Sequence, residues 1–310
     1  MAGSRVVTAK NIKIVKEARI ADYMAVVFAT VFWGGSFAST KLALAQSDPL
    51  TIIWLRCGIA IPVLALGAYL QKTLRLPTRK EIVPLFAMGF QGIFFHLLIQ
   101  AYAMKTSSAA NANWVMVAGP ALVAIFGSFF LGEKISKQGA GGLLLSVIGV
   151  TLVLAFGTVR NEAFTGFGSV GDLILIASVV NWAVFSIISR KFLQQKIQPG
   201  FAILWEMCFS FACSSLFMFM IGADFSKISG YNFATWHSII FLGVFASALA
   251  HLFWFQGLSV LPAARVVIFQ FIQPIVGIIV SYFVIGERFT PWLFAGGAMI
   301  AAGVWLVNRK

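Results

Sequence analysis

Residues 132–150 read GEKISKQGAGGLLLSVIGV, and residues 286–304 read GERFTPWLFAGGAMIAAGV. They are two versions of one segment. At an offset of 154 residues (286 less 132), Gly132-Glu133-Lys134 falls on Gly286-Glu287-Arg288, Ser136 on Thr290, Gly142 on Gly296 and Gly149-Val150 on Gly303-Val304. The match extends upstream, where Pro120 meets Pro274 and Ala109-Ala110 meets Ala263-Ala264. Closer to the N-terminus the offset shortens to 149 or 150: Trp33 meets Trp182, Lys41 meets Arg190, Pro49 meets Pro199 and Arg56 meets Glu206. The chain is therefore a tandem repeat, with a first copy over 21–157, a second over 158–310 and a basic segment, 1–20, in front.

Each copy is too apolar for water. Of 310 residues, 60% are hydrophobic and only 11% charged, and the charges gather in short clusters between long uncharged stretches. A hydrocarbon core about 30 Å thick needs about 20 apolar residues per helix. Ten segments qualify: 21–44, 49–71, 82–104, 107–131, 137–157, 169–190, 199–222, 235–258, 262–285 and 291–307. Unpaired backbone groups are too costly in lipid for such spans to be other than helical, and the alternation of a membrane barrel is absent. The predicted fold is an all-α integral membrane protein of ten transmembrane helices. Asp48-Pro49, Gln198-Pro199 and Thr290-Pro291 each put a capping side chain before a proline at the first helical position. Ser136 and Thr290 are read as caps of helices five and ten, with Glu133 and Glu287 near the same positive ends.

The formal charge of +13 does not point to nucleic acid, because the basic residues follow the loops and form no single patch. They act as a topology signal. With the N-terminus in the cytoplasm, Lys41, Lys105, Arg160, Lys227 and Arg288 lie outside and Arg56 and Arg265 within spans, which leaves sixteen of the 23 Lys and Arg residues inside. Both termini are then cytoplasmic, in the plasma membrane (the inner membrane of a bacterium). Five spans per copy is an odd number, so the second copy enters from the opposite side. Such an inverted-topology repeat is a hallmark of secondary transporters. The first 20 residues have no signal-peptide core. Cys57, Cys208 and Cys213 lie in apolar stretches without metal-ligand spacing, so neither a metal nor another cofactor is expected.

These repeated motifs, together with Phe32-Trp33-Gly34-Gly35-Ser36-Phe37 in the first span, resemble the EamA-like family of the drug/metabolite transporter superfamily, over roughly residues 20–307. The resemblance implies a central cavity lined mainly by helices 1, 3, 4, 6, 8 and 9, and export or exchange of amino acids and related metabolites. It does not name the substrate.

Polar side chains within the spans are the site candidates, because each is costly at membrane depth. His96 and Gln100 lie one turn apart, as do His251 and Trp254. Each histidine is either hydrogen-bonded inside the bundle or in contact with substrate, and either is able to carry a coupling proton. Asn113-Trp114 and Asn181-Trp182 repeat one pairing, and Trp33 adds a third indole. These tryptophans either anchor at the lipid interface or line the cavity. Gln270 and Gln273 flank Pro274, where a freed carbonyl would join them; Pro120 and Pro274 are read as mid-span kinks. Arg56 and Glu206 are read as an ion pair, structural or gating, and Arg265 as snorkelling or attracting an anion. A membrane enzyme would need clustered catalytic groups that the chain lacks. An uptake permease for nucleosides, sugars or cations and a lipid-handling protein are the alternatives to efflux or exchange. The expected partners are a small-molecule substrate and the bilayer, with the protein a monomer or weak dimer.

Overall fold

A computed structural model describes residues 19–119, 122, 137–156, 169–193, 197–261, 266 and 269–308. Among these, helix dominates. Helix α1 is Ile20–Ala43 and α2 Pro49–Leu70. A long rod follows from α3, Arg79–Met88, through a wide π-helical turn at Gly89–Phe95 to α4, His96–Ala103. Next come α5, Ala109–Met116, and α6, Lys137–Phe156. The second half holds α7, Val170–Leu193, α8, Pro199–Met220, and another rod: α9, Phe233–Phe241, a π-helix at Leu242–Leu249, and α10, Ala250–Val260. It ends with α11, Ile272–Ile285, and α12, Pro291–Asn308. Among the described residues, five helices or rods are long and apolar enough to cross a membrane, at Ile20–Ala43, Pro49–Leu70, Arg79–Ala103, Pro199–Met220 and Phe233–Val260. Shorter apolar helices cover Lys137–Val153, Val170–Phe185, Phe269–Ile285 and Pro291–Leu306. Apolar side chains such as Phe219, Phe283 and Val83 face outward at more than two-thirds exposure. In water that surface would aggregate; in a bilayer it is the lipid face.

Local chemistry sets the helix starts. Asp48 Oδ1 accepts from Leu50 N and Thr51 N at 2.9 and 3.0 Å, ahead of Pro49. Ser108 caps α5 through Asn111 N, and Asn232 caps α9 through Thr235 N. Gln198 makes no such bond, so α8 relies on Pro199 alone. Thr290 donates its hydroxyl to the carbonyl of Phe156 and so ties α12 to the end of α6. Pro274 does not kink a continuous helix. The chain turns through a 3-10 segment, Phe269–Phe271, and α11 begins at Ile272, so Pro274 falls in its first turn, where a missing N–H costs nothing. Pro120, Glu133, Ser136, Ala263-Ala264 and Arg265 lie outside the described residues.

Equivalent elements of the two halves pack on each other. Helix α2 lies against α8, and α6 runs along α12. A Cβ at Gly149 would stand 2.6 Å from the Gly296 carbonyl, and one at Gly303 2.4 Å from that of Gly142. Early residues of α6 thus meet late residues of α12, and the reverse, so the two helices are antiparallel. Without a hydrophobic drive between helices in lipid, such close backbone approach supplies the packing.

The two π-helices were not foreseen from the sequence. They begin at Gly89 and at the residue before Gly243, which are equivalent positions (243 less 89 is again 154). Each glycine admits a neighbouring backbone. A Cβ on Gly89 would lie 2.6 Å from the Glu206 carbonyl and 3.0 Å from Phe209 Cβ; one on Gly243 would lie 3.2 Å from the Arg56 carbonyl and 2.7 Å from Ile59 Cβ. The pairs 56/206 and 59/209 share the 150-residue offset.

Gly296→Ala should therefore lower stability by about 1–3 kcal/mol through overpacking. Gly141→Ala, with nothing within 4 Å of the added methyl, should be neutral or slightly stabilising. Thermal unfolding midpoints of the two variants in detergent provide the comparison.

Candidate functional site

Both halves contribute to one cavity enclosing about 640 Å³, its mouth included. Helix α1 lines it with Trp33, Ser36, Phe37 and Thr40, whose i, i+3, i+4, i+7 spacing puts them on one face. Arg56 comes from α2, His96 and Gln100 from α4, Trp182 from α7 and His251 from α10. Gln270 and Gln273 enter at the 3-10 to α junction, and Met104 and Met116 add adaptable apolar surface.

An aromatic cluster shapes the wall. Trp33 meets Trp182 edge-on at 5.9 Å and His251 at 5.2 Å between ring centroids, and His96 lies 5.1 Å from Trp182. Trp33 Nε1 donates to the Ala246 carbonyl at 3.1 Å. His251 Nδ1 lies 3.1 Å from the same carbonyl, so Nδ1 carries the proton and Nε2 is left as an acceptor. Ala246 sits in the second π-helix, where the widened turn brings one carbonyl within reach of both side chains. Gln100 Nε2 lies 3.1 Å from His96 Nε2, and His96 Nδ1 lies 3.2 Å from Ser178 Oγ. With the amide donating, His96 accepts at Nε2 and donates from Nδ1 to the hydroxyl.

Of the residues singled out in the sequence, Trp33, His96, Gln100, Trp182, His251, Gln270 and Gln273 all line this cavity. Four others do not. Asn113 donates to the carbonyls of Gly34 and Ala109, and its amide fills the space over Gly277. Trp114 packs on Gly297. Asn181 exchanges hydrogen bonds with Gln91, its Oδ1 accepting at 2.8 Å and its Nδ2 donating to the Gln91 carbonyl at 3.1 Å. Trp254 lies 5.2 Å from Trp33 and buttresses it from behind. All four are helix-to-helix contacts.

Arg56 and Glu206 are not paired. Arg56 faces the cavity and donates from Nε to Ser247 Oγ at 2.8 Å, whereas neither Glu206 carboxylate oxygen has a hydrogen-bond partner among the described residues. The offset explains the difference. Ser247 corresponds to Ile93 (247 less 154), so the first π-helix presents an apolar side chain where the second presents a hydroxyl.

Beyond the Thr40 and Met104 end of the cavity lies a polar latch. Lys41 Nζ donates to Glu287 Oε1 and to the Ser107 carbonyl, both at 3.0 Å. Glu287 also accepts from Ala109 N at 3.0 Å and Ala110 N at 3.3 Å. This glutamate from the repeated motif therefore caps α5 of the other half, not α12, the helix that follows it. Beside it Asp172 accepts from Ser107 Oγ and from Ser169 N. The latch joins α1 and α5 to the segment after α11, and hence the first half to the second.

The sequence matches the EamA-like transporter family over residues 21–155 and again over 169–309. The chain belongs to this family, within the drug/metabolite transporter superfamily. An uncharacterized transporter of Archaeoglobus fulgidus is 25% identical over 280 residues, covering 90% of this chain and 94% of the relative. A protein of Salmonella typhimurium named a probable amino-acid metabolite efflux pump is also 25% identical, over 92% of this chain and 94% of its own length. A solved crystal structure matches in fold with a TM-score of 0.67 at 19% identity, covering 93% of this chain and 96% of that one. This EamA-like protein is thus a multi-pass membrane transporter and not an enzyme, with a small-molecule substrate and a lipid surround.

The capping geometry makes Glu287 the stronger half of the latch. Glu287→Ala should cost about 1.5–3 kcal/mol, since it removes charge-assisted bonds to two helix-end amides. Lys41→Ala, at a side chain about a third exposed, should cost less than about 1 kcal/mol alone and less still in the Glu287→Ala background, where only its bond to the Ser107 carbonyl is left to lose. A double-mutant cycle on thermal unfolding tests both statements.

Proposed function

We propose that this protein is a secondary transporter for a small organic metabolite, an amino acid or related compound, working by efflux or exchange through alternating access around the cavity at Trp33, His96 and Trp182. The carrying observation is that both halves line this one cavity. A solute held there touches α1, α2 and α4 from one side and α7, α10 and Gln273 from the other. Any relative movement of the halves changes its surroundings. The efflux pump named above supports the substrate class through common family membership, at 25% identity.

Ten spans in two inverted copies, with both termini cytoplasmic, account for the remaining features. The antiparallel crossing of α6 and α12 supports inversion, because equivalent helices running oppositely across a shared contact is what a two-fold axis in the membrane plane produces. In this arrangement the latch at Lys41 and Glu287 lies on the outer side, and its release opens the cavity outward. His96 and His251 are the candidates for carrying a coupled proton.

Purified protein in liposomes should show substrate-driven flux over a panel of amino acids, their deaminated relatives, nucleosides and sugars. No flux across the whole panel would sink the transporter assignment of this cavity. Cysteine pairs at the two cavity mouths should crosslink in mutually exclusive states; simultaneous crosslinking with transport intact rules out alternating access. Trp182→Ala and His96→Ala should each weaken binding of the transported solute about tenfold, the scale of one lost buried contact, with the native fold retained. Unchanged affinity in both removes them from the site.

A further inference from the structure

Among the described residues, the cavity has an unbalanced charge. Arg56 is 5% exposed and lines the cavity, and its Nε is fixed on Ser247 Oγ. Neither Nη group has a hydrogen bond to a described residue, and among the described residues Arg56 makes no ion pair. The other ionisable lining groups are His96 and His251, which are neutral or positive and never negative. A buried guanidinium without a counter-charge costs several kcal/mol, which a partner anion recovers.

The carboxylates among the described residues do not supply that anion. Asp22 accepts from Arg19 N, Asp48 caps α2, Glu81 pairs with Arg75, Asp224 accepts from Ser226 N, and Asp172 and Glu287 belong to the latch. Glu206, the repeat-equivalent of Arg56, does not line the cavity. Glu17, Glu133 and Glu162 lie outside the described residues. The rest of the lining combines flat and polarizable apolar groups, Trp33, Trp182, Met104 and Met116, with the carboxamides of Gln100, Gln270 and Gln273.

We propose that Arg56 is the substrate's anchor, and that the cavity selects a small organic anion carrying a carboxylate in preference to a zwitterion or a cation. The two Nη groups form the fork that a carboxylate binds with paired N–H···O bonds. The Ser247 bond holds the fork in place, so less side-chain freedom is lost on binding. The indoles take the flat apolar body, and the carboxamides meet neutral polar groups along it. An ammonium group finds a guanidinium instead of a carboxylate. Among compounds related to amino acids, those without the amino group therefore bind best. The inference rests on the transporter reading of this cavity and narrows its substrate class.

The test holds the body constant and changes only the charge. 3-Phenylpropionate, phenylalanine and 2-phenylethylamine share a ring and a two-carbon spacer and carry one negative charge, no net charge and one positive charge. Titration calorimetry on the full-length protein in nanodiscs should give the order propionate, amino acid, amine, with about tenfold or more between the ends. Arg56→Gln should weaken propionate binding about tenfold and strengthen that of the amine, while Arg56→Lys should keep the order at reduced affinity. Unfolding midpoints check that the variants fold; if Arg56→Gln does not, the wild-type order and Arg56→Lys decide. Amine binding as tight as that of propionate, no binding of propionate, or an unchanged Arg56→Gln overturns the proposal. Liposome flux separates the two levels. Flux without anion preference removes this inference alone, whereas Arg56-dependent anion binding without flux removes the transporter reading and leaves the anion site.

Discussion

A polar group inside a bilayer has no water to bond, so each one must find a partner in the protein or be gathered where water and solute can reach it. That constraint organises this bundle. Asn113 and Asn181 bond across helix contacts. The α5 amides find Glu287. Trp33 and His251 converge on one carbonyl of a π-helix. Some buried polar atoms stay without a partner among the described residues, the Glu206 carboxylate among them, whereas Arg56 and His251 keep bonding capacity where it faces the cavity. Among the described residues Arg56 has bonded one of its three nitrogens, and His251 keeps an acceptor in reserve.

The same constraint explains why glycine and the π-helix appear together at Gly89 and Gly243. A seven- or eight-residue π-helix widens the rod and shifts its register. The extra girth is accommodated only where the facing helix comes close, and the glycines give the space for α8 and α2. In the second half the widened turn presents Ser247 to Arg56 and the Ala246 carbonyl to the aromatic wall. The backbone irregularity is therefore what places the cavity's polar contacts.

Much of this was legible in the sequence. Composition and spacing gave apolar helices, the repeated motif gave two related halves, and seven of the eleven residues chosen as substrate contacts do line the cavity. Polar side chains on apolar helices attract attention for one reason, the cost of burial, but burial is relieved in two ways. Asn113 and Asn181 are relieved by neighbouring helices, His96 and Gln100 at the cavity wall, and one-dimensional spacing does not separate these fates. Ser36 and Thr40 could have been found from their spacing to Trp33 along one face. The π-helices could not, because their widening follows from what packs against Gly89 and Gly243. Glu287 was assigned to the wrong helix end because its true partner, α5, lies about 180 residues away in sequence.

The halves match in backbone and differ in charge, and this difference separates scaffold from site. At Gly89 and Gly243, at Gly149 and Gly303, and at Pro49 and Pro199, the copies agree because each position answers a packing or helix-start requirement that the fold imposes twice. Positions 56 and 206 share a backbone environment just as closely, each carbonyl lying against the glycine of the opposite rod. Their side chains nonetheless have opposite charge, and Ile93 stands at the position equivalent to Ser247, whose hydroxyl steadies Arg56. Packing would tolerate the same residue in both places. The asymmetry must therefore answer to something other than the fold, and the carboxylate anchor proposed at Arg56 is such a demand.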